Sequence, residues 1–240
     1  SNAWIGKNHN VPDFTVNNVG PFTHWPNAMG FDYFYGFLGG EMDQWYPALF
    51  ENQNVVKNLP TPEEGYNLQV DQTDKAIQWM RNQNSIAPDR PFFLYYATGA
   101  VHAPHHVPQE WVEKYRGEFA HGFDKQREIT FQRQKELGVI PQDAKLTPRM
   151  KQVPGWDSYD ADTHKIFERQ METYAGYYEY ADHQIGRIID AIEETGELDN
   201  TLVIYISDNG IAFLGDEEAA LLLAYLRDAC HYPDRPSDVA

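Results

Sequence analysis

The pattern of apolar residues predicts three strands. Residues 202–206 form an unbroken, β-branched-rich run that stops abruptly at Ser207-Asp208-Asn209-Gly210, which is typical of a strand buried on both faces of a parallel sheet. Residues 92–97 follow turn signals and predict a second buried strand. Residues 4–7 have the pattern of the end of a third strand that enters a long loop rich in Pro, Asn and Gly.

Helical spacing separates these strands. Residues 162–194 repeat apolar side chains every three or four positions, and Gly196 is a suitable stop. A shorter helix is predicted over 73–83, with Asp71 or Thr73 as its N-cap. Weaker helical signals occur at residues 111–115 and 125–137. A loop is predicted at 141–154 and a C-terminal helix at 217–230.

The alternation of strands and helices predicts an α/β fold with a doubly wound, mostly parallel sheet flanked by helices. A polar helical lobe is expected near residues 109–160, where it could shape a substrate mouth. Ser1-Asn2-Ala3 resembles a scar left by tag removal, so residues 1–3 are expected to lie outside the fold. We expect the sheet to be incomplete on its N-terminal side.

Composition narrows the possible partners. The chain of 240 residues has a formal net charge of -17, which disfavours binding to nucleic acid or to an anionic membrane surface. Cys230 is the only cysteine, so the chain has no internal disulfide and its redox compartment stays open. No apolar run approaches the roughly 20 residues of a membrane span.

Polar residues directly follow the predicted strand at 202–206. Open α/β sheets bind ligands beyond the carboxyl ends of their strands, and Asp208 and Asn209 offer oxygen ligands for a hard cation such as Ca²⁺ or Mg²⁺. Asp-Asn-Gly is also ordinary turn chemistry after any strand. Both interpretations stay open on this stretch alone.

Two further clusters follow predicted strands. Lys7 and His9 could both reach an anion from a strand-end loop, although without further context a solvated surface pair is the more ordinary arrangement. His102, His105 and His106 lie among prolines after residues 92–97, where rigid turns can orient imidazoles. Zinc is disfavoured, because neither cysteines nor a further carboxylate–histidine cluster completes such a site.

The three clusters in this order resemble the sulfatase family, of the alkaline-phosphatase-like superfamily, and most of all its bacterial arylsulfatases. The resemblance spans roughly residues 4–210 and includes segments at 30–37, 91–96 and 174–187; its motifs are Gly6-Lys7-Asn8-His9, His102-Ala103-Pro104-His105 and Ser207-Asp208-Asn209-Gly210. The domain is therefore expected over 4–210, followed by a divergent helix and tail over 211–240.

The resemblance implies an arylsulfatase-like hydrolase of sulfuric esters, with a formylglycine nucleophile and Ca²⁺. Lys7 would contact the sulfate, and His9 would hydrogen-bond the nucleophile and help expel sulfate. His102 would bind sulfate near the leaving oxygen and protonate that oxygen. Asp208 and Asn209 would be two of the calcium ligands, and His105 and His106 would be mouth or structural residues.

The chain departs from the family pattern in its nucleophile. The motif Cys-x-Pro-Ser-Arg and the upstream Asp pair are absent, and Cys230 lies in a sequence that does not match the motif. We therefore expect an internal piece of a sulfatase that is inactive alone and self-associates through an exposed sheet edge. A phosphoryl or phosphonate hydrolase of the same superfamily, or a catalytically silent binding protein or remnant, are the alternatives.

Overall fold

A five-stranded mixed sheet lies at the centre of the computed structural model, which describes residues 1–206. The strands are β1 (Asn2–Asn8), β2 (Tyr33–Leu38), β3 (Phe50–Glu51), β4 (Asn54–Val55) and β5 (Phe93–Ala97), in the order β4-β3-β2-β1-β5. Strands β2, β1 and β5 are mutually parallel, whereas β3 and β4 pair antiparallel at one edge. The predicted α/β class, with a sheet flanked by helices, is confirmed.

Strand β2 comes from the stretch of aromatic residues and glycines at 30–40, which the apolar pattern did not identify as a strand. Its side chains alternate between the two faces of the sheet. Tyr35 and Phe37 pack with one hydrophobic cluster, and Phe34 and Leu38 with another. The glycines of this stretch, of which Gly36 lies inside β2, gave it the composition of an irregular loop rather than of a strand.

Four α-helices agree in position with the helical spacing of the sequence: α1 (Leu68–Ile86), α2 (Gln109–Glu113), α3 (Gly122–Glu136) and α4 (Ala161–Glu194). The predicted caps of α1 are wrong. The helix begins before Asp71 and Thr73, and the side chain of Asn67 caps it by accepting a hydrogen bond from the backbone N–H of Gln69. Helix α4 is capped by Asp160, and Gly196, with φ of 78°, follows its end as predicted.

The two faces of the sheet are covered differently. Helices α1 and α4 pack over one face, where Ile5 and Phe37 of the sheet meet Met80 of α1 and Ile188 of α4. The other face is covered by the long loop after β1, whose Trp25 is fully buried against Phe34 and Phe50. Strands β1 and β2 therefore run through the centre of the core, and their ends are held firmly.

Residues 202–206 correct the prediction of a strand buried on both faces. They form no strand, pair with none of β1–β5, and expose large side chains, from 50% for Val203 to 84% for Leu202. An apolar run indicates that burial would be favourable, but it does not supply the neighbouring strand whose N–H and C=O groups must complete the ladder. The prediction took the apolar character of residues 202–206 as evidence that a neighbouring strand is present.

The first residues of the chain also differ from expectation. Asn2 and Ala3 belong to β1, Ala3 is fully buried, and the backbone oxygen of Ser1 accepts a hydrogen bond from Phe93. Residues 1–3 are thus part of the fold, and the expectation that they lie outside it is wrong. None of the helices in residues 1–206 is long and apolar enough to cross a membrane.

Candidate active site at the strand ends

The parallel strands β1, β2 and β5 place their following loops at one edge of the sheet. The loop after β1 and the loop after β2 are joined where the N–H of Gly39 donates a hydrogen bond to the carbonyl of Asn8, at 2.9 Å. The loop after β5 approaches the same place, because a Cβ on Gly99 would lie 3.1 Å from the ring of Phe37. This edge of the sheet is where α/β proteins bind ligands.

Lys7 and His9 flank a buried residue at the end of β1. Lys7 lies within the ladder, opposite Phe37 of β2, and is partly buried. Asn8 is fully buried and its side-chain oxygen accepts a hydrogen bond from the backbone of Asn10, which fixes the exit of the chain. His9 is exposed, and its ring lies so close to Gly40 that a Cβ there would be 2.8 Å from its Cε1 atom.

His102 is held by the turn that follows β5. Its backbone N–H donates to the carbonyl of Gly99, and its side chain is 20% exposed. The Nδ1 atom lies 3.0 Å from the carbonyl oxygen of Ala103 and 3.5 Å from a carboxylate oxygen of Glu41. The ring is therefore oriented through Nδ1.

His105 anchors the same loop to α4. Its ring packs against the rings of Tyr174 and Tyr177, with centroid distances of 5.3 and 5.6 Å. Burial lowers the pKa of His105, and the neighbouring His102 and His106 lower that pKa further. A neutral, packed imidazole fits the structural role that the sequence analysis gave it.

His106 faces the second carboxylate of the β2 loop. Its Nδ1 lies 3.3 Å from Asp43, whose oxygen also accepts hydrogen bonds from the backbone N–H groups of Trp45 and Tyr46. Burial acts to raise the pKa of Asp43, but these two N–H groups and the His106 imidazole outweigh it, so the pKa lies below its usual value.

One short loop, residues 39–44, connects the predicted site residues. It contacts His9 through Gly40, His102 through Glu41 and His106 through Asp43. Glu41 and Asp43 were missed in the sequence because no histidine is near them along the chain. Two carboxylates immediately after a strand were the only signal, and that signal is weak without knowledge of which strands are neighbours.

The structure leaves the predicted metal ligands untested. Asp208 and Asn209 lie outside the described residues, as do Cys230 and the predicted helix at 217–230. Within residues 1–206, no three His, Cys, Asp or Glu side chains are close enough together to hold a metal ion. The described part of the strand-end site therefore supplies imidazoles and an ammonium group, but no metal centre of its own.

A separate groove of about 620 Å³ lies between α1 and α4. Ion pairs between the two helices border it, from Arg81 to Glu194 and from Arg187 to Asp74. None of the residues at the strand ends lines this groove. We assign these two ion pairs to the packing of α1 on α4.

Comparison with protein families confirms the resemblance to the sulfatases. The sulfatase family matches residues 1–228 of this chain. The chain belongs to the sulfatase family. The match is wider at both ends than the range 4–210 suggested by the motifs, and it includes residues 1–3.

Several curated sulfatases are similar to this chain over part of their length. A sulfatase of Schizosaccharomyces pombe, itself uncharacterized, is 38% identical over 142 residues, which cover 57% of this chain and 24% of that protein. An arylsulfatase of Klebsiella aerogenes is 25% identical, over 77% of this chain and 41% of the relative. An N-acetylglucosamine-6-O-sulfatase of Bacteroides thetaiotaomicron is 27% identical, over 89% of this chain and 42% of that protein. The chain thus spans about a quarter to two-fifths of the length of these relatives.

A solved structure supports the fold alone. The yidJ protein of Bacteroides fragilis, described as a candidate sulfatase, superposes with a TM-score of 0.50 at 17% identity. The superposition covers 82% of this chain and 38% of that protein. The α/β architecture of this chain therefore resembles that of the yidJ protein.

Proposed function

We propose that this chain forms part of a hydrolase that cleaves sulfuric esters into an alcohol or phenol and sulfate, with arylsulfatase-like chemistry. The observation that supports this most directly is that Lys7 and His9 at the end of β1 lie at the same edge of the sheet as His102 after β5, and that the loop 39–44 contacts both histidines. Cationic and hydrogen-bonding groups at such an edge suit an anion, although the chain as a whole is strongly acidic.

Each of these side chains has a distinct proposed role. The Lys7 ammonium contacts the sulfate oxygens, where it offsets the charge that develops as the ester bond breaks. His102 binds sulfate beside the leaving oxygen and donates a proton to it, acting as a general acid. His9, exposed at the end of β1, hydrogen-bonds the nucleophile and assists the release of sulfate.

Calcium and a formylglycine nucleophile belong to the same proposal. Asp208 and Asn209 would be two ligands of Ca²⁺, which neutralises sulfate charge when bound. The sequence contains no Cys-x-Pro-Ser-Arg motif from which formylglycine is made in this family. We propose that the complete protein supplies the nucleophile and the remaining ligands, and that this chain alone is inactive.

The substrate is proposed to be a small-molecule or carbohydrate sulfate ester rather than a nucleic acid, given the net charge of -17. Self-association is also proposed. Among the described strands, β5 pairs only with β1, so its other edge is open. Size-exclusion chromatography tests this point, and a stable monomer would contradict it.

Hydrolysis of an aryl sulfate and of the matching aryl phosphate tests the function. We expect the complete protein encoded by the gene to hydrolyse the sulfate, with strong loss of activity in His102→Ala, and this chain alone to hydrolyse neither. Preference for the phosphate would assign the protein to phosphoryl chemistry instead. A complete protein that hydrolyses neither would be a silent member of the family, and the proposal would be wrong.

A further inference from the structure

Two carboxylates on the loop after β2 face two histidines on the loop after β5. Glu41 lies beside Nδ1 of His102, and Asp43 beside Nδ1 of His106. The proposed function uses His102 and leaves both carboxylates unexplained. A carboxylate beside a sulfate site is unfavourable for the anion, since two like charges repel. Its presence therefore calls for a role that concerns the histidine.

The contacts of His102 determine which ring nitrogen is available. Both groups near Nδ1 are acceptors: the Ala103 carbonyl at 3.0 Å and the Glu41 carboxylate at 3.5 Å. Neither can donate a hydrogen bond, so Nδ1 must bear the proton. In a neutral imidazole this leaves the lone pair on Nε2, and in the cation it leaves Nε2–H as the second donor.

We propose that Glu41 is a positioning residue, which together with the Ala103 carbonyl keeps a proton on Nδ1 of His102. Nε2 then faces the sulfate ester, and in the imidazolium it carries the N–H that the proposed general acid donates. The identity of the ligand in this inference rests on the proposed function, whereas the contacts of His102 do not depend on it. The Glu41 side chain is 65% exposed, whereas that of His102 is 20% exposed and its backbone is held by the hydrogen bond to Gly99.

The tautomer of His102 can be measured in this chain without any turnover. Long-range proton–nitrogen correlation spectra distinguish the two neutral tautomers, and His102→Asn assigns the signal. In the unaltered chain we expect the Nδ1–H form to dominate. In Glu41→Ala we expect the ratio of Nδ1–H to Nε2–H to fall about two- to fivefold, the size of a half-exposed ion pair. Glu41→Asp, which keeps the charge, should restore part of that ratio.

The affinity for inorganic sulfate provides a second readout. Replacement of Glu41 is expected to raise this affinity, whereas it lowers the tautomer ratio. Removing the charge in Glu41→Gln should tighten sulfate binding at His102 by about two- to fivefold, because a like charge leaves the site. General damage to the loop would weaken binding instead. Glu193→Gln is the matched control, since it removes one exposed carboxylate on α4 and should change neither readout.

The outcomes separate the two proposals. An unchanged tautomer ratio in Glu41→Ala, or an Nε2–H form in the unaltered chain, would overturn the role of Glu41 and leave the sulfatase function standing. A tautomer shift without any response of His102 to sulfate would support the positioning contact and overturn the site proposed for the ester. A tautomer shift with tighter sulfate binding supports both.

Discussion

Gly36 of β2 lies directly opposite Gly6 of β1, and a Cβ on Gly36 would be 1.9 Å from the carbonyl oxygen of Gly6. Gly6 in turn has a φ of 117°, and its own Cβ would lie 1.9 Å from the carbonyl oxygen of Ala97. The three parallel strands thus approach one another at a point where only hydrogen atoms fit. This point is one residue before Lys7.

We predict that Gly36→Ala destabilises the fold by about 3 kcal/mol or more, at the upper end of the range for overpacking, because the obstructing atoms belong to the backbone and cannot rotate away. Denaturant unfolding followed by tryptophan fluorescence measures this loss. A loss below about 1 kcal/mol would show that β1 and β2 can separate easily, and would contradict the close approach.

Two glycines of α4 provide a matched pair for a second prediction. Gly176 packs against α2, where a Cβ would lie 2.7 Å from the backbone oxygen of Trp111, whereas nothing lies within 4 Å of a Cβ on Gly186. Gly176→Ala should therefore cost about 1–3 kcal/mol. Gly186→Ala should stabilise by up to about 1 kcal/mol, since alanine is the better helix former. Equal effects at the two sites, from the same unfolding measurement, would contradict the packing of α2 on α4.

The partly buried ring of His105 predicts a pH dependence of stability. Its pKa in the folded protein lies below the usual value, so between the two values the unfolded chain binds more protons. The contribution of His105 to the free energy of unfolding is fully present above about pH 6.5, and it is lost as the pH falls towards the pKa of His105 in the folded protein. His105→Phe keeps a ring between Tyr174 and Tyr177 but cannot titrate. We expect its unfolding free energy to fall less between about pH 7 and pH 5 than that of the unaltered chain.

Parallel slopes for the two proteins would contradict the assignment of His105 as a buried, neutral residue. The comparison is made between variants because other groups also titrate in this window. Asp43 has a lowered pKa and therefore loses its stabilisation only at lower pH, below the usual carboxyl value. Its contribution is the same in both proteins and cancels in the difference.

Local signals in the sequence were sufficient for the helices and for β1 and β5. Helix α4 has a period of three to four residues sustained from residue 162 to residue 194, so its position was predictable. Strand β2 was missed because the glycines among its aromatic residues, including Gly36 within the strand, are typical of a loop. The pairing of Glu41 with His102 was not predictable, since it depends on the order of β2, β1 and β5 in the sheet.

The prediction for residues 202–206 failed because it used only the properties of the segment itself. Hydrophobicity is a property of the segment itself, whereas a strand also requires a partner with free backbone groups. Lys7, His9 and His102 were predicted as site residues from the order of motifs, and all three lie at one edge of the sheet, but their roles stay predictions. Asp208 and Asn209 stay predictions, because they lie outside the described residues.

Titration of this chain with inorganic sulfate, followed on the imidazole signals of all histidines, tests the central claim most directly. The account predicts that the signals of His9 and His102 respond together and that Lys7→Met weakens this response. The signals of His24 and His121 should not respond, because these residues are remote from the strand ends in the sequence and contact other residues. Sulfate that leaves His9 and His102 unchanged, or that binds equally well to Lys7→Met, would contradict a sulfate ester site at the ends of β1 and β5.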